Sequence, residues 1–481
     1  MATTPHPNSS NVYKGPDSMR DFFNPDIQPP LPLVELPDKL NPYRGDNVRI
    51  YAKMATALPT QNIKFLPALN MLLDNPPPKN ATIIEQSSGS TATSLAMVAR
   101  VLYGNENTRA ELYGGPSQPE LGDPRGTVKK AHKLAEEDDN YINPGQYDND
   151  NNWASHIRWT GPQILSQLPE TDIFCVAMGS AGCITGTGRY LKSQNPSVRV
   201  VGVCFPPKDI VPGPRTLPLV EGCDFPWRDT VDAVEIVGST EAYRLSMELS
   251  REGLICGPSS GLTLVGLYEY LGRAKREGWL HELANPTSGE VSAVFMCCDL
   301  PYQYLEKYFE KLGEGDFPEV RNQSLLDVDV NEYDSSWELT PESAAAKLYG
   351  GDTHSLPFTP SSDHRTPPPT AKLLDLRAPT DFQAHNLPGS VSVPLANLTA
   401  EATSPFDDVE TLRRQWQNLN EKYDTPEFTH LLDDLDGSRE VVILCYNGET
   451  ARLATSMLRG RGVEAFSIYG GTAGLVTVTV T

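Results

Sequence analysis

A chain of 481 residues is longer than one ordinary hydrophobic core supports, so two or three domains are expected. With 62 Asp and Glu against 40 Lys and Arg, the net charge is −22, which repels phosphate backbones and anionic headgroups and argues against nucleic acid or membrane partners. The apolar fraction is 39%, and 42 prolines with 37 glycines assign part of the length to connections rather than core.

The opening stretch MATTPHPNSSNVYKGPDSMRDFF has no apolar run behind a basic one, and no apolar run in the chain approaches the length of a bilayer span. A soluble intracellular protein with its eight cysteines as thiols is expected, placed in the cytoplasm with a mitochondrial location left open. Residues 1–44, rich in Pro, Asn and Asp, read as an N-terminal arm that is either wrapped on a domain or disordered. Beyond it, Thr82-Ile83-Ile84, Ile173-Phe174-Cys175-Val176, Val198 to Val203 and Val291 to Met296 read as buried parallel strands, each beside a segment of helical period. Alternating strands and helices predict an α/β fold.

Strand, Gly/Ser-rich turn and helix are expected to follow one another at three places. These lie after Ile84 (EQSSGSTATSLAMVARVL), after Val176 (AMGSAGCITGTGRYLK) and after Leu254 (ICGPSSGLTLVGLYEYL). Small residues let the backbone approach an anion, and a helix N-terminus offers it free N–H groups. One such turn is ordinary punctuation, whereas three in one domain predict a site lined by helix N-termini. Cys297 and Cys298 end an apolar strand and read as core thiols on opposite faces. The acidic run Glu136-Glu137-Asp138-Asp139 reads as a solvated surface, and the eight histidines lack metal-ligand spacing, so no metal is expected.

Past Phe317 the chain turns polar, and residues 319–336 read as a linker to a second α/β unit over 337–481. ELTPESAAAKLYG predicts a helix with Thr340 before a Pro at its first position, and Asp352 to Thr370 reads as a flexible Pro/Ser-rich loop. Strands are expected at Lys372 to Leu376 and Val441 to Leu444, the latter leading through CYNGETARLA into a helix.

The stretch IYAKMATALPTQNIKFLPALNML, Ile50 to Leu72, resembles the lysine segment of the cysteine synthase and cystathionine β-synthase family. Lys64 takes the place of the lysine that carries pyridoxal phosphate (PLP); without the order of the other motifs Lys53 is an equal candidate. EQSSGSTA then resembles the substrate-carboxylate loop, GQYDNDNNWASHIRWTGPQI the Gln-bearing segment, AMGSAGCITGTGRYLK the phosphate cradle and ICGPSSG the turn facing the pyridine nitrogen. The resemblance spans residues 40–312. It implies PLP fold type II (tryptophan synthase β-like), a three-layer α/β/α domain assigned to residues 45–318, and a homodimer.

That family's chemistry implies the roles. Lys64 would bond the cofactor and act as general base. Gly179, Ser180, Ala181, Gly182 and Cys183 would hold its phosphate through backbone N–H groups. Ser87, Ser88, Gly89 and Thr91, with Gln146, would hold the substrate carboxylate, and Ser90 stands where an Asn would bond the cofactor's phenolic oxygen. Ser259 would present a hydroxyl to the pyridine nitrogen and leave it unprotonated, favouring β-elimination and β-replacement over transamination. The chain departs from the pattern at Ala55, Gln61, Asn62, Phe65 and Leu66. It is also shorter than the family between Thr108-Arg109-Ala110 and Gly114-Gly115. GGPSQPELGDPRG and NNWASHIRWTGPQ look most like a fungal cysteine-synthase-like branch.

CYNGETAR resembles the active-site loop of the rhodanese family, in which Cys445 would carry a persulfide beside Gly448. Loop N–H groups there are expected to lower the thiol's pKa. LLDLRAPTDFQAHNLPGSVSVPL resembles the same family's segment with Asp375 and Arg377, followed by His385, Gly389 and Ser390. Thr450 stands where an active sulfurtransferase often has Arg, and Arg452 is the nearest substitute. After Gly470-Gly471 the sequence lacks the family's Trp-bearing helix. This second resemblance, over roughly residues 335–475, implies a small α/β/α domain that handles sulfane sulfur.

Three functions follow. One is PLP-dependent β-replacement on an O-activated serine with sulfide. The second is cysteine β-elimination feeding sulfur to Cys445, and the third is a catalytically degenerate PLP-fold protein. The implied partners are a small-molecule amino acid and a sulfur donor.

Overall fold

The computed structural model describes residues 8, 10–107, 120–321, 326, 331–350, 356, 358–360, 369–433 and 440–478. The shortened stretch 108–119 and most of the Pro/Ser-rich loop at 352–370 lie outside the described residues. The chain forms two compact units, Met1–Phe317 and Pro318–Thr481.

In the first unit the strands are β1 (Leu33–Glu35), β2 (Val48–Met54), β3 (Thr82–Ile83), β4 (Tyr141–Ile142), β5 (Ile173–Ala177), β6 (Arg199–Cys204), β7 (Ala233–Ile236) and β8 (Val291–Cys297). Six of them form one sheet in the order β1-β2-β8-β5-β6-β7, parallel except for β1 at the edge. Apolar clusters cover both faces, with Phe174, Val176, Val294 and Met296 on one side and Ile173, Cys175, Ala293 and Phe295 on the other. Burial on both faces explains why these strands are written as continuous apolar runs rather than alternating ones.

Two expected strands differ. Thr82–Ile83 is half-buried and pairs only with β4, apart from the large sheet, because two residues beside Pro78 and Asn80 make a short ladder rather than a core strand. Before the third Gly/Ser turn there is no strand: the helix Ser239–Arg251 ends at Glu252, and residues 253–257 run irregularly into the helix Pro258–Glu277. Of the two readings of the arm, packing on the domain is the one seen. Phe23 meets Phe65 edge-on with ring centroids 5.5 Å apart, and β1 pairs Leu33 with Lys53.

Lys53 itself is fully buried on β2. Its ammonium donates to Leu31 O at 2.9 Å, Gln163 Oε1 at 3.0 Å and Gln167 Oε1 at 2.6 Å, all neutral acceptors. Burial lowers its pKa from 10.5 to about 7. Between those values the unfolded chain holds a proton that the folded chain does not, so stability rises with pH across that window. The expected gain is about 1 kcal/mol per pH unit above pH 7, read as a rising urea midpoint that flattens in Lys53→Met. An equal slope in the variant would refute the assignment.

The second unit holds β9 (Glu338–Leu339), β10 (Thr359–Pro360), β11 (Lys372–Asp375), β12 (His385–Asn386), β13 (Val391–Ser392), β14 (Glu440–Leu444) and β15 (Glu464–Ile468). Five make a parallel sheet ordered β13-β11-β14-β15-β9, and β10 pairs antiparallel with β12. Val441 and Ile443 face one cluster while Val442 and Leu444 face the other, the two-sided burial of an α/β/α layer. The helix Pro341–Tyr349 forms as predicted, with Thr340 Oγ1 accepting from Ser343 N at 3.2 Å. Gly471–Val478 forms a last helix. Among the described residues no helix is long and apolar enough to cross a membrane.

Candidate active site

The carboxyl ends of β5 and β8 open on a cavity in the first unit, the position where parallel sheets place ligands. Its wall includes Lys64, Ser87, Ser88, Ser90, Thr91, Gln146, Gly179, Ser180, Ala181, Gly182, Cys183 and Ser259, so residues far apart in the chain meet in one place.

Lys64 precedes the helix Phe65–Asp74. Its N–H donates to Asn62 Oδ1 at 3.0 Å, and that oxygen also accepts from Ser94 Oγ at 3.0 Å. Burial lowers the pKa of the Lys64 amine, with the Cys298, Cys183 and Asp299 groups opposing the shift. A neutral amine is what a nucleophile and general base require.

The cradle is the turn between β5 and the helix Gly182–Gln194. A Cβ on Gly179 would stand 2.6 Å from Gly213 O and 3.9 Å from Lys64 Nζ, and one on Gly182 would stand 2.0 Å from Asn152 Oδ1. Backbone alone fits there, with the lysine amine beside it. Ala181, at φ +63°, holds the left-handed conformation that costs a side chain roughly 1 kcal/mol or more. Ala181→Gly is expected to raise stability by up to about 1 kcal/mol in denaturant unfolding; a loss would refute the strain. Cys183 lies in the first turn of the helix, its thiol pushed up to about 12 by burial.

The serine loop divides its labour. Ser87 Oγ accepts from Gly89 N at 3.0 Å and Ala92 N at 3.2 Å, capping the helix Ser90–Tyr103. Gly89, at φ +138°, makes the turn and is not part of the wall. Thr91 Oγ1 donates to Gln146 Oε1 at 2.9 Å, and Gln146 Nε2 to Gln86 O at 2.6 Å, which ties the Gln-bearing segment to the loop. Ser259 opens the helix Pro258–Glu277 and its Oγ donates to Asp299 Oδ1 at 3.5 Å.

Cys298 and Asp299 are among the wall residues that escaped the sequence reading. Cys297 is a core thiol as expected, but Cys298, one step on, lines the cavity, because successive strand residues face opposite ways. Asp299 follows it, buried, with its carboxyl pushed up to about 6 by that burial. The signal was available: CCD stands where a buried parallel strand ends, the ligand-binding edge. An amine, a turn closed to side chains at Gly179 and Gly182 and a hydroxyl-bearing loop together match the aldehyde and phosphate of PLP and the carboxylate of an amino acid.

In the second unit Cys445 follows β14, fully buried. Its sulfur accepts N–H bonds from Gly448 at 3.2 Å and Ala451 at 3.3 Å. Gly448, at φ +88°, has Gly470 N and Ile468 O each 2.9 Å from where a Cβ would stand. The expected lowering of the thiol's pKa is not found. Burial raises it, and the N–H groups of Ala451, Asn447, Gly448 and Thr450 only offset part of that rise. Asp375 and Arg377 form a buried two-pronged pair at 3.0 and 2.7 Å, with Arg377 Nη2 also donating to His385 O at 2.8 Å. The Ala378 N–H that follows donates to the Tyr446 hydroxyl at 3.2 Å, so this pair braces the loop. Gly389 takes φ +76° and Ser390 Oγ donates to Leu387 O at 2.6 Å, closing a turn. The Arg452 guanidinium lies on the rings of Phe406, at 5.3 Å, and Tyr333, at 5.7 Å.

Residues 26–281, more than half of the chain, match the pyridoxal-phosphate dependent enzyme family, and residues 363–476 match the rhodanese-like domain. A cysteine synthase of a Flavobacterium species is 30% identical over 247 residues, 46% of this chain and 80% of its own length. The N-(2-amino-2-carboxyethyl)-L-glutamate synthase of Ralstonia nicotianae is 28% identical over 285 residues, 51% of this chain and 80% of its own. A crystal structure of O-acetyl serine sulfhydrylase isoform 3 from Entamoeba histolytica superposes with a TM-score of 0.48 at 22% identity, over 66% of this chain and 96% of that one. The chain therefore belongs to the family of pyridoxal-phosphate dependent enzymes, and carries a rhodanese-like domain in its second unit.

Proposed function

We propose that the first unit catalyses β-replacement on an O-activated serine with sulfide, yielding cysteine or a related thiol amino acid, while Cys445 of the second carries sulfane sulfur. The observation that carries this reading is the Lys64 amine beside Gly179, where a side chain would not fit, with the serine loop on the same wall. PLP, when bound, supplies the electron sink for the substrate's α-carbon. Lys64 would hold the cofactor and then move the α-proton at Nζ, which its lowered pKa equips it to accept. Backbone N–H groups from Gly179 to Cys183 would bind phosphate. Ser88, Ser90 and Thr91 would orient the substrate carboxylate, with Gln146 fixing Thr91 and Ser87 and Gly89 shaping the loop.

The purified full chain should show visible absorbance from bound PLP that changes on adding O-acetylserine, and should form cysteine once sulfide is supplied. No such band, or a band indifferent to O-acetylserine, overturns the reading. A second reading, cysteine β-elimination releasing sulfide, pyruvate and ammonia, uses the same cavity; the sulfide it releases is not at the oxidation level of a persulfide, so Cys445 would take it up only with a two-electron oxidant. Pyruvate release from cysteine alone distinguishes it. The intact cradle speaks against a degenerate scaffold. We further place the protein in the cytoplasm, as a homodimer of a fungal cysteine-synthase-like branch, which sedimentation and localisation of a tagged full chain would check.

A further inference from the structure

Gln303 lies in the short turn Tyr302–Tyr304 beyond β8, and although it is exposed its side chain joins two residues of the cavity wall. Nε2 donates to Ser90 Oγ on the serine loop at 3.3 Å and to Asp299 Oδ2 beyond the end of β8 at 3.2 Å. It also donates to the Tyr304 hydroxyl at 2.6 Å, whose own proton goes to Asp299 Oδ2 at 2.6 Å. Asp299 is buried and accepts a further, long bond from Ser259 Oγ at 3.5 Å, so the anchor is held from more than one element.

The neighbours fix which way the amide faces. An ionised carboxylate only accepts, so the nitrogen faces Asp299 and the oxygen turns away from it. That oxygen lies against the loop: a Cβ on Gly89 would stand 3.6 Å from Gln303 Oε1. Ser87 is committed to the cap of its own helix and Thr91 to Gln146. The Ser90 hydroxyl, bonded also by the Tyr304 side chain, is the loop's tie to the strand end. An exposed amide adds little to global stability, so this arrangement acts on where the loop stands rather than on whether the unit folds.

We propose that Gln303 is a positioning residue of the first unit: it latches the serine loop, through Ser90, to the Asp299 carboxylate and so sets Ser88, Ser90 and Thr91 for the carboxylate of an amino acid. The use made of the loop rests on the β-replacement reading above, whereas the latch is a property of the chain alone. Losing one neutral hydrogen bond weakens what depends on it by about 2- to 10-fold. Gln303 is not part of the cavity wall, so the loss falls on substrate binding and not on the chemical step.

The test compares the full chain with Gln303→Leu, which keeps the bulk and removes the donor, and with Gln303→Arg, which restores N–H groups at that reach. The Gly89 and Ala92 amides are bonded to Ser87 and report the loop. Their hydrogen exchange is expected to quicken by about 2- to 10-fold in Gln303→Leu and to recover in Gln303→Arg, with the urea midpoint and the exchange of β5 and β8 unchanged. With PLP and sulfide supplied, the KM for O-acetylserine should rise by the same factor at unchanged kcat, and fall back in Gln303→Arg. Loop exchange that stays at the wild-type rate in Gln303→Leu, or that quickens together with the central strands, overturns the latch. A lowered kcat at unchanged KM, or no recovery in Gln303→Arg, overturns the positioning role. A wild-type chain that forms no cysteine sinks the β-replacement reading instead, and loop exchange still decides the latch.

Discussion

Replacing Lys64 by Ala is expected to abolish the covalent attachment of PLP and to lower β-replacement by on the order of 1,000-fold or more. The amine stands in the cavity beside Gly179, and burial, which lowers its pKa, favours the neutral form that a base needs. Steady-state cysteine formation and the absorbance of bound cofactor report the two losses separately. Circular dichroism should be unchanged, because the side chain lines a cavity rather than filling the core. The contrasting variant is Lys53→Ala. It removes a buried amine that ties Leu31, Gln163 and Gln167 together, so it should lower stability yet leave the cofactor's spectrum in place. A Lys64→Ala chain that kept its absorbance, or a Lys53→Ala chain that folded and lost it, would exchange the two assignments.

Cys445→Ser is expected to eliminate sulfur transfer altogether. With thiosulfate as donor, the thiolate attacks the outer sulfur, a new S–S bond forms at Cys445, and sulfite leaves with the electron pair of the broken bond. Mass spectrometry should find the persulfide in the wild type and not in the variant. Because burial raises the thiol's pKa, the thiolate is scarce at neutral pH, and the rate should climb about tenfold per pH unit as pH rises toward that pKa. A rate flat from pH 6 upward, roughly the behaviour of a low-pKa thiol, would contradict the burial argument.

The fold was legible where strands are buried on both faces. Ile173 to Val176, Val291 to Met296 and Val441 to Leu444 are apolar runs, and each lies in a central parallel strand. The run ICG after Leu254 is too short to carry a ladder, and Thr82–Ile83 carries only two residues of one, so both marked turns rather than core. Resemblance, not pattern, chose Lys64 over Lys53. Both sit in apolar surroundings in the sequence, and only the folded chain shows one at a cavity and the other sealed under the arm. Asp299 and Cys298 were missed because a strand's alternation says that neighbours face apart but not which of them faces a ligand. The sign of the Cys445 shift was missed for a related reason: the N–H donors are written in CYNGETA, whereas the desolvation that outweighs them depends on what the second unit packs over the sulfur.

The arm's attachment has a consequence for how the first unit opens. Leu31 O is held by both the Lys53 ammonium and Gln167 Nε2, and its N–H donates to Gln163 Oε1, so peeling the arm away would strip a buried cation of one partner while leaving it in the sheet. Local release of that segment is therefore as costly as disturbing β2. Amide hydrogen exchange around Leu31 to Leu36 should then report the same protection as the central strands, making a terminal segment part of the cooperative unit rather than a fraying end.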